Sequence, residues 1–426
     1  MASSAYSTVI GPPPESFAEL TPTTALTEGR GAPKPSTEFG NVDAASRQAL
    51  WRQLASVVGM DVMNMRLSLP IWLFEPSTAL TRMIETFEFS DLLDRAATSD
   101  DPVLRDCLVA AFVISAFSHT ERVRKPFNPV LGESFEYTHP LNGMRFYAEQ
   151  VEHHPPVSVS HCEGKGWEAG EVVDIAATFH GNSIEVRNVG SRYINLHKTG
   201  DRYSWTLPQA LVSNLFVGGA FVDHFGTVEL KNETTGTSAT LNLTQCGWFS
   251  AGRYEVAGEL LDSNATKIVL FKGAWNKFLD CERVAKAKGE GTNRLWMAGS
   301  HLLSEEEGGG VTGVYANCTK FTKKILSLHS DHALELPPND SRFRPDRLAL
   351  EKGNRTVAAE EKIRIEQMQR DRRAAAKKRV ESGGGKIQPR YFRKVAEDKQ
   401  LWEPIGNYWT DSRNLSEDDR KNMVMW

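Results

Sequence analysis

Between about residues 133 and 300 the chain alternates. Arg145-Phe-Tyr-Ala-Glu, Val157-Ser-Val-Ser, Ser183-Ile-Glu-Val-Arg, Tyr203-Ser-Trp-Thr-Leu, Thr227-Val-Glu-Leu, Ala239-Thr-Leu-Asn-Leu-Thr and Lys267-Ile-Val-Leu-Phe are short runs rich in β-branched and aromatic residues. Turn-forming stretches such as His180-Gly-Asn and Gly190-Ser separate them. Successive side chains of a strand point to opposite faces, so each run has one face for a core and one for water. Many short strands at this spacing predict an antiparallel sheet curled into a barrel or sandwich, and a barrel with enough strands can enclose a ligand.

Helices flank this region. Ser46 to Val58 is amphipathic: Leu50, Leu54, Val57 and Val58 share a stripe, Trp51 lies beside it and Gly59 follows as a stop. Met60 to Leu69 is irregular and apolar and ends at Pro70. The stretch is either a helix packed on a core or a mobile cover over a cavity. From Pro76 to His119 the period is again helical, through Leu80, Met83, Ile84 and Phe87, then Leu92, Leu93 and Ala96, then an apolar run from Leu104 to Phe117. Asp101-Pro102 fits an N-cap followed by proline at the first helical position. Thr356 to Val380 predicts a long charged helix, broken by Gly383-Gly-Gly385 and followed by Tyr391, Phe392, Trp402, Tyr408 and Trp409. Residues 1–44, rich in Pro, Ser, Thr, Gly and Ala, predict a disordered leader.

Several function classes are disfavoured. A net charge of -4 carries no nucleic-acid signature. The cysteines Cys107, Cys162, Cys246, Cys281 and Cys318 are odd in number and form no CxxC, which reads as reduced thiols in a cytosolic compartment. The start has no basic residue before an apolar run, so no secretory signal is expected. The most apolar run, Cys107 to Phe117, is far short of the roughly 20 residues a membrane span needs. No GxSxG elbow, P-loop or dinucleotide fingerprint occurs, so no catalytic residue is assigned. Paired carboxylates leave no local spacing, and that kind of hydrolase stays open.

Two stretches concentrate polar groups on a stiff backbone. Lys125-Pro-Phe-Asn-Pro-Val-Leu-Gly-Glu133 places a cation and the amide of Asn128 between prolines and a glycine. Glu149-Gln-Val-Glu-His-His-Pro-Pro156 carries adjacent histidines, His153 and His154, before two prolines. Imidazole N–H groups donate to phosphate oxygens, and a phosphate in turn favours the charged ring. The prolines are expected to block further ladder bonding after the pair, so that both rings can meet one ligand. A metal site at these histidines, as in a metal-assisted hydrolase, is the competing reading, although HxxxH and HExxH spacings are absent and no metal ligand is assigned. On the late helix, Lys362, Glu366 and Arg370 fall at i, i+4 and i+8 and are read as one face, either solvated or functional. Arg372, Arg373, Lys377, Lys378 and Arg379 continue a basic excess that attracts an anionic membrane surface. A membrane-recruited scaffold with no cavity would use the same helix.

Both motifs resemble the oxysterol-binding protein family: the first its KPFNPxLGE element, the second its EQVSHHPP signature. The likeness runs from about Ser46 to Trp409 and includes Leu69-Pro-Ile-Trp-Leu-Phe-Glu-Pro76, Gly273-Ala-Trp and Pro389-Arg-Tyr-Phe. It implies an α+β fold: a large antiparallel, incompletely closed β-barrel around a lipid tunnel, with an N-terminal lid, flanking helices and a C-terminal helical subdomain. The domain would span 45–410, with a lid at about 46–69 and a tail at 411–426. The implied ligands are phosphatidylinositol 4-phosphate and a second lipid, sterol or phosphatidylserine, with no cofactor. The implied headgroup residues are Lys125, Asn128, His153, His154, Lys362, Glu366 and Arg370, and Trp51, Leu54 and Trp72 would contact the lipid or form the lid. The implied protein is a monomeric, non-enzymatic lipid carrier in the cytoplasm, peripheral at membranes such as endoplasmic reticulum contact sites. Glu152 departs from the pattern, standing where the signature has Ser. Strand alternation predicts that it points away from His153.

Overall fold

The structure is a computed structural model that describes residues 42–62, 68–153, 155–247, 251–285, 291–304, 306–308, 313–328, 335–385, 388–396 and 401–426. Most of the expected leader, residues 63–67 of the expected lid, and His154 lie outside the described residues.

The first element is helix α1 (Ala44–Leu54), capped by the Asp43 carboxylate, which accepts from the Ser46 N–H at 2.8 Å. Strand β1 (Phe74–Thr78) leads into α2 (Ala79–Glu85), α3 (Asp91–Thr98) and α4 (Pro102–Ser115). The expected cap at Asp101 is present: its carboxylate accepts from the N–H groups of Val103 and Leu104, and Pro102 takes the first position, where no N–H is needed. Helix α4 is almost wholly buried, from Leu104 to Ser115. Strand β2 (Lys125–Phe127) then pairs in parallel with β1.

Fourteen strands form one antiparallel sheet. They are β3 (Ser134–Thr138), β4 (Arg145–His153), β5 (Pro156–Gly164), β6 (Trp167–Phe179), β7 (Ile184–Asn188), β8 (Arg192–Leu196), β9 (Arg202–Trp205), β10 (Gln209–Ser213), β11 (Phe221–Asn232), β12 (Ser238–Leu243), β13 (Glu255–Leu261), β14 (Lys267–Ala274), β15 (Phe278–Arg283) and β16 (Asn293–Met297). The edges β3 and β16 do not pair with one another among the described residues, so the sheet curls without closing. It forks at its two longest strands. β6 pairs through Ile175–Phe179 with β7 and through Trp167–Glu171 with β8. β11 pairs through its first residues with β10 and through Leu230–Asn232 with β9. The pairs β7–β10 and β8–β9 thus bridge β6 and β11 at opposite ends.

Helices α2, α3 and α4 pack into the curve of this sheet and share one apolar core with it, including Leu80, Phe112, Phe146, Trp167, Leu241 and Trp275. Removing a side chain such as Leu108 from that core would cost about 2–5 kcal/mol. The β7–β10 end is different. Every residue of β10 keeps part of its surface accessible, although the strand lies inside the sheet. A smaller apolar cluster roofs that end, made by α1 with Val123, Phe179, Leu215 and Val222.

The C-terminal third wraps the outside through α5 (Lys320–Leu326), α6 (Pro345–Glu351) and the long helix α7 (Arg355–Glu381). Helix α7 stops where Gly383 takes φ +88°, a left-handed conformation open to glycine. The hairpin β17 (Phe392–Ala396) and β18 (Leu401–Pro404) follows, then α8 (Tyr408–Asp411) and α9 (Glu417–Met423). Here Tyr391, Phe392, Trp402 and Tyr408 pack on Tyr147, Val151, Val157, Val159 and Val172 of β4–β6. Residues 411–426 also pack on the domain: Met423 is buried, and an Arg372 N–H donates to the Val424 carbonyl at 3.0 Å.

Candidate functional site

Charge gathers where β1, β2 and α7 meet. Pairing of β1 with β2 sets Phe74 opposite Lys125. The Lys125 Nζ stands 5.4 Å from the centre of the Phe74 ring, and the Lys362 Nζ of α7 stands 5.2 Å from the same centre. Phe74 stacks on Phe127 at 4.9 Å, and the Arg344 guanidinium lies over Phe127 at 5.4 Å. An aromatic face attracts a cation, but two ammonium groups at one ring repel each other. Lys125 records the conflict: burial, then the positive charges of Lys362 and Arg344, push its amine down to about 8 against the pull of Glu366. An anion placed there would relieve that repulsion.

The Lys125 ammonium donates to the Asn128 side-chain oxygen and, at 3.1 Å, to the Pro126 carbonyl. The loop that follows is fixed from below. Glu133 is fully buried; its carboxylate accepts from Arg344 at 2.7 Å, the Ser341 hydroxyl at 2.6 Å and the Val130 N–H at 3.0 Å. Arg344 also donates to the Asn128 carbonyl at 2.9 Å. Gly132 turns with φ +81° and packs so that an added Cβ would sit 3.0 Å from Met425. Its N–H donates to the Gln150 carbonyl, and the Gln150 N–H returns a bond to the Glu133 carbonyl, each at 2.9 Å. The two sequence motifs therefore lie side by side.

His153 ends β4, half-buried, at the tip of the β4–β5 hairpin. The expectation that the prolines block pairing there is corrected: Pro156 opens β5 directly opposite His153. A proline tolerates the first position of a strand, where its missing N–H breaks no ladder bond. The interruption falls earlier, as a bulge between Gln150 and Glu152. Glu152 lies 3.6 Å from the Lys394 ammonium on β17.

Helix α7 presents its residues unevenly. Lys362 is buried and pairs with Glu366 at 2.6 Å. Arg370 is exposed and donates to Gln367 at 3.0 Å, while buried Gln369 accepts from the Leu131 N–H at 3.2 Å. The i, i+4, i+8 stripe thus runs from buried Lys362 through half-buried Glu366 to exposed Arg370. At about 100° per residue, position i+7 returns to within about 20° of Lys362, whereas i+8 has drifted by about 80°.

Beside the cations lies an apolar cleft of about 400 Å3 between α1, residues 68–72 and α7, lined by Leu50, Gln53, Trp72, Lys362 and Ile363 among others. Leu54 is buried beneath α1 and Trp72 packs on the same cluster. Trp51, 40% exposed, meets Phe216 edge-on at 5.3 Å and Phe179 at 6.2 Å. Phe74, Arg344, Ser68 and Gln369 complete this neighbourhood and were not singled out from the sequence, since only the tertiary fold brings them to Lys125 and Lys362. Among the described residues, no group of three His, Cys, Asp or Glu side chains is placed to hold a metal, and no helix is long and apolar enough to cross a membrane.

The family profile described as oxysterol-binding protein matches residues 49–413. Oxysterol-binding protein homolog 2 of Saccharomyces cerevisiae is 34% identical over 390 residues, covering 87% of this chain and 30% of that protein. Human oxysterol-binding protein-related protein 6 is 32% identical over 409 residues, covering 94% of this chain and 41% of that protein. The chain therefore spans less than half the length of these relatives. Among solved structures, the Osh1 ORD domain in complex with cholesterol aligns with a TM-score of 0.74 at 29% identity, covering 96% of this chain and 94% of that one. The Osh3 ORD of Saccharomyces cerevisiae in complex with PI(4)P aligns with a TM-score of 0.72 at 28% identity, covering 93% and 95%. The profile match, the likeness over most of this chain and the paired motifs agree: the chain belongs to the oxysterol-binding protein family.

Proposed function

We propose that the chain is a lipid-transfer domain that carries one lipid at a time, exchanging phosphatidylinositol 4-phosphate for sterol or phosphatidylserine between membranes. One observation carries the reading: Lys125 and Lys362, far apart in sequence, converge on Phe74, and Lys362 also lines an apolar cleft against α1. That arrangement suits a molecule with an anionic head and a greasy body. Relatives support both cargo types, since an Osh1 domain was solved with cholesterol and an Osh3 domain with PI(4)P.

The headgroup would be held by Lys125, Asn128, His153, His154, Lys362, Glu366 and Arg370, with the phosphate accepting from the ammonium and imidazole groups. Its tails would enter the half-open interior at the β7–β10 end, where β10 retains accessible surface. Burying roughly 400 Å2 of apolar surface there is worth on the order of 10 kcal/mol, enough to hold a lipid away from a bilayer. Trp51, Leu54 and Trp72 would complete the cover, and a lid of residues 46–69 would open on membrane contact. The exposed Arg373, Lys377, Lys378 and Arg379 of α7 would hold an anionic surface, each worth on the order of 1 kcal/mol. The lipid-binding domain would cover 45–410, after a leader of 1–44 and with residues 411–426 packed onto it. It would act as a monomer without chemistry of its own, in the cytoplasm and peripheral at membranes such as endoplasmic reticulum contact sites.

The test is extraction of labelled lipids from liposomes by wild type and by His153→Ala/His154→Ala. The double variant is expected to lose phosphatidylinositol 4-phosphate and keep the second lipid. Equal loss of both cargoes would refute the assignment of these histidines to a headgroup.

A further inference from the structure

Ser68 sits at a junction of three parts. Its carbonyl accepts from the Gln53 side chain of α1 at 3.3 Å. Its hydroxyl accepts from the Lys362 ammonium at 3.1 Å and donates to the Glu366 carboxylate at 3.0 Å. Lys362 and Glu366 close the triangle at 2.6 Å. A lysine only donates and a carboxylate only accepts, whereas a serine hydroxyl does both and rotates freely about its Cβ–Oγ bond. Within the triangle each member has a partner.

A phosphate arriving between Lys125 and Lys362 changes that balance. It competes with Glu366 for Lys362 and brings oxygens that need donors. Glu366, its own partner drawn away, cannot supply one. The Ser68 O–H can, by turning from one acceptor to the other without giving up its bond from Lys362. A cargo that lacks a phosphate gives it no reason to turn and leaves the triangle shut.

We infer that Ser68 is a cargo-discriminating residue, whose hydroxyl passes from the Glu366 carboxylate to the phosphate of an anionic lipid and so ties residue 68, and α1 through Gln53, to an occupied site. This rests on the phosphoinositide reading above.

The experiment compares wild type, Ser68→Ala and Ser68→Thr, reading affinity for phosphatidylcholine vesicles carrying phosphatidylinositol 4-phosphate and, separately, for vesicles carrying sterol. The hydroxyl exchanges a carboxylate for the more highly charged phosphate, so Ser68→Ala removes only the difference between two charge-assisted bonds, and about threefold weaker phosphoinositide binding is expected. Sterol binding is expected to fall by less than phosphoinositide binding, and Ser68→Thr, which keeps a hydroxyl, to recover most of the loss. A parallel arm with water-soluble inositol phosphate, which has no tails, should show the same loss if the contact is to phosphate. Unchanged phosphoinositide affinity in Ser68→Ala, or equal loss of both cargoes, overturns the inference while leaving the transfer function standing. Failure of wild type to take up the phosphoinositide at all overturns the function itself.

Discussion

On the proposed reading, Lys125 makes headgroup binding depend on pH at the alkaline end of the range. Its amine is pushed down to about 8 by burial and by the charges of Lys362 and Arg344. The bound anion favours the ammonium form, so the complex holds this proton more tightly than the empty protein does. Below about pH 8 the lysine is already charged, and affinity is level. Above it, binding must first take up a proton, and affinity falls toward tenfold per pH unit. Phosphatidylinositol 4-phosphate should therefore bind about tenfold more weakly at pH 9 than at pH 7. The phosphate loses its second proton near pH 6 and so contributes nothing above about pH 7.5, and comparison with Lys125→Arg separates the lysine from the imidazoles. The assay is equilibrium binding to vesicles at fixed ionic strength, in parallel with Lys125→Arg, whose guanidinium does not titrate here. A level wild-type curve to pH 9, or an equal decline in Lys125→Arg, would show that Lys125 is not the titrating contact.

Three more outcomes follow from the anchors. Glu133→Ala strands the buried Arg344 with Asp346 as its remaining carboxylate and frees the Ser341 hydroxyl and Val130 N–H; a loss of about 3–5 kcal/mol is expected in urea unfolding. Glu149→Ala leaves the N–H groups of Arg390 and Tyr391, each bonded to that carboxylate at 2.8 Å, without a partner. The expected cost is about 1–3 kcal/mol, with faster tryptic cleavage around Arg390 to Lys394, and unchanged cleavage would show that the C-terminal hairpin is held otherwise. Glu152→Ser removes only a half-exposed pair with Lys394, so stability should shift by less than about 1 kcal/mol, and headgroup affinity should hold; a large gain in affinity would place the carboxylate in the site.

How legible the fold was depended on side-chain size. Helix α4 announced itself through Asp101-Pro102 and a continuous apolar run, and β14 through Ile268, Val269, Leu270 and Phe271. β6, the longest strand, was invisible. Its buried positions include Ala169, Gly170 and Ala177, set among Glu168, Glu171 and Asp174. Small residues and acids have low strand propensity, and this strand is made by its neighbours: three other strands, β5, β7 and β8, pair with it along its length. The site was legible for the same kind of reason in reverse. Lys125, Asn128 and His153 stand in stiff, unusual local sequence, whereas Phe74, Arg344 and Ser68 have unremarkable neighbours. Their roles come from distances that no local pattern encodes.

Each motif pairs exposed or half-buried residues that can meet a ligand with a buried acid or amide that cannot. Glu133 fastens Arg344 and Ser341; Glu149 fastens the backbone at Arg390 and Tyr391; Gln150 accepts from the Ser158 hydroxyl across the hairpin. Nearby, Glu136 accepts from the Tyr408 hydroxyl at 2.8 Å and from Arg413. All but one of these partners lie beyond residue 340, while the motifs end at residue 156. The acids therefore hold the C-terminal third against the same loops that carry Lys125 and His153, and that third delivers Lys362 to Phe74. Burial of an ionised carboxylate is costly unless its partners arrive together. Convergence of Lys125 and Lys362 on Phe74 and docking of the C-terminal third are for that reason one event: the cations meet only once the buried carboxylates have been satisfied.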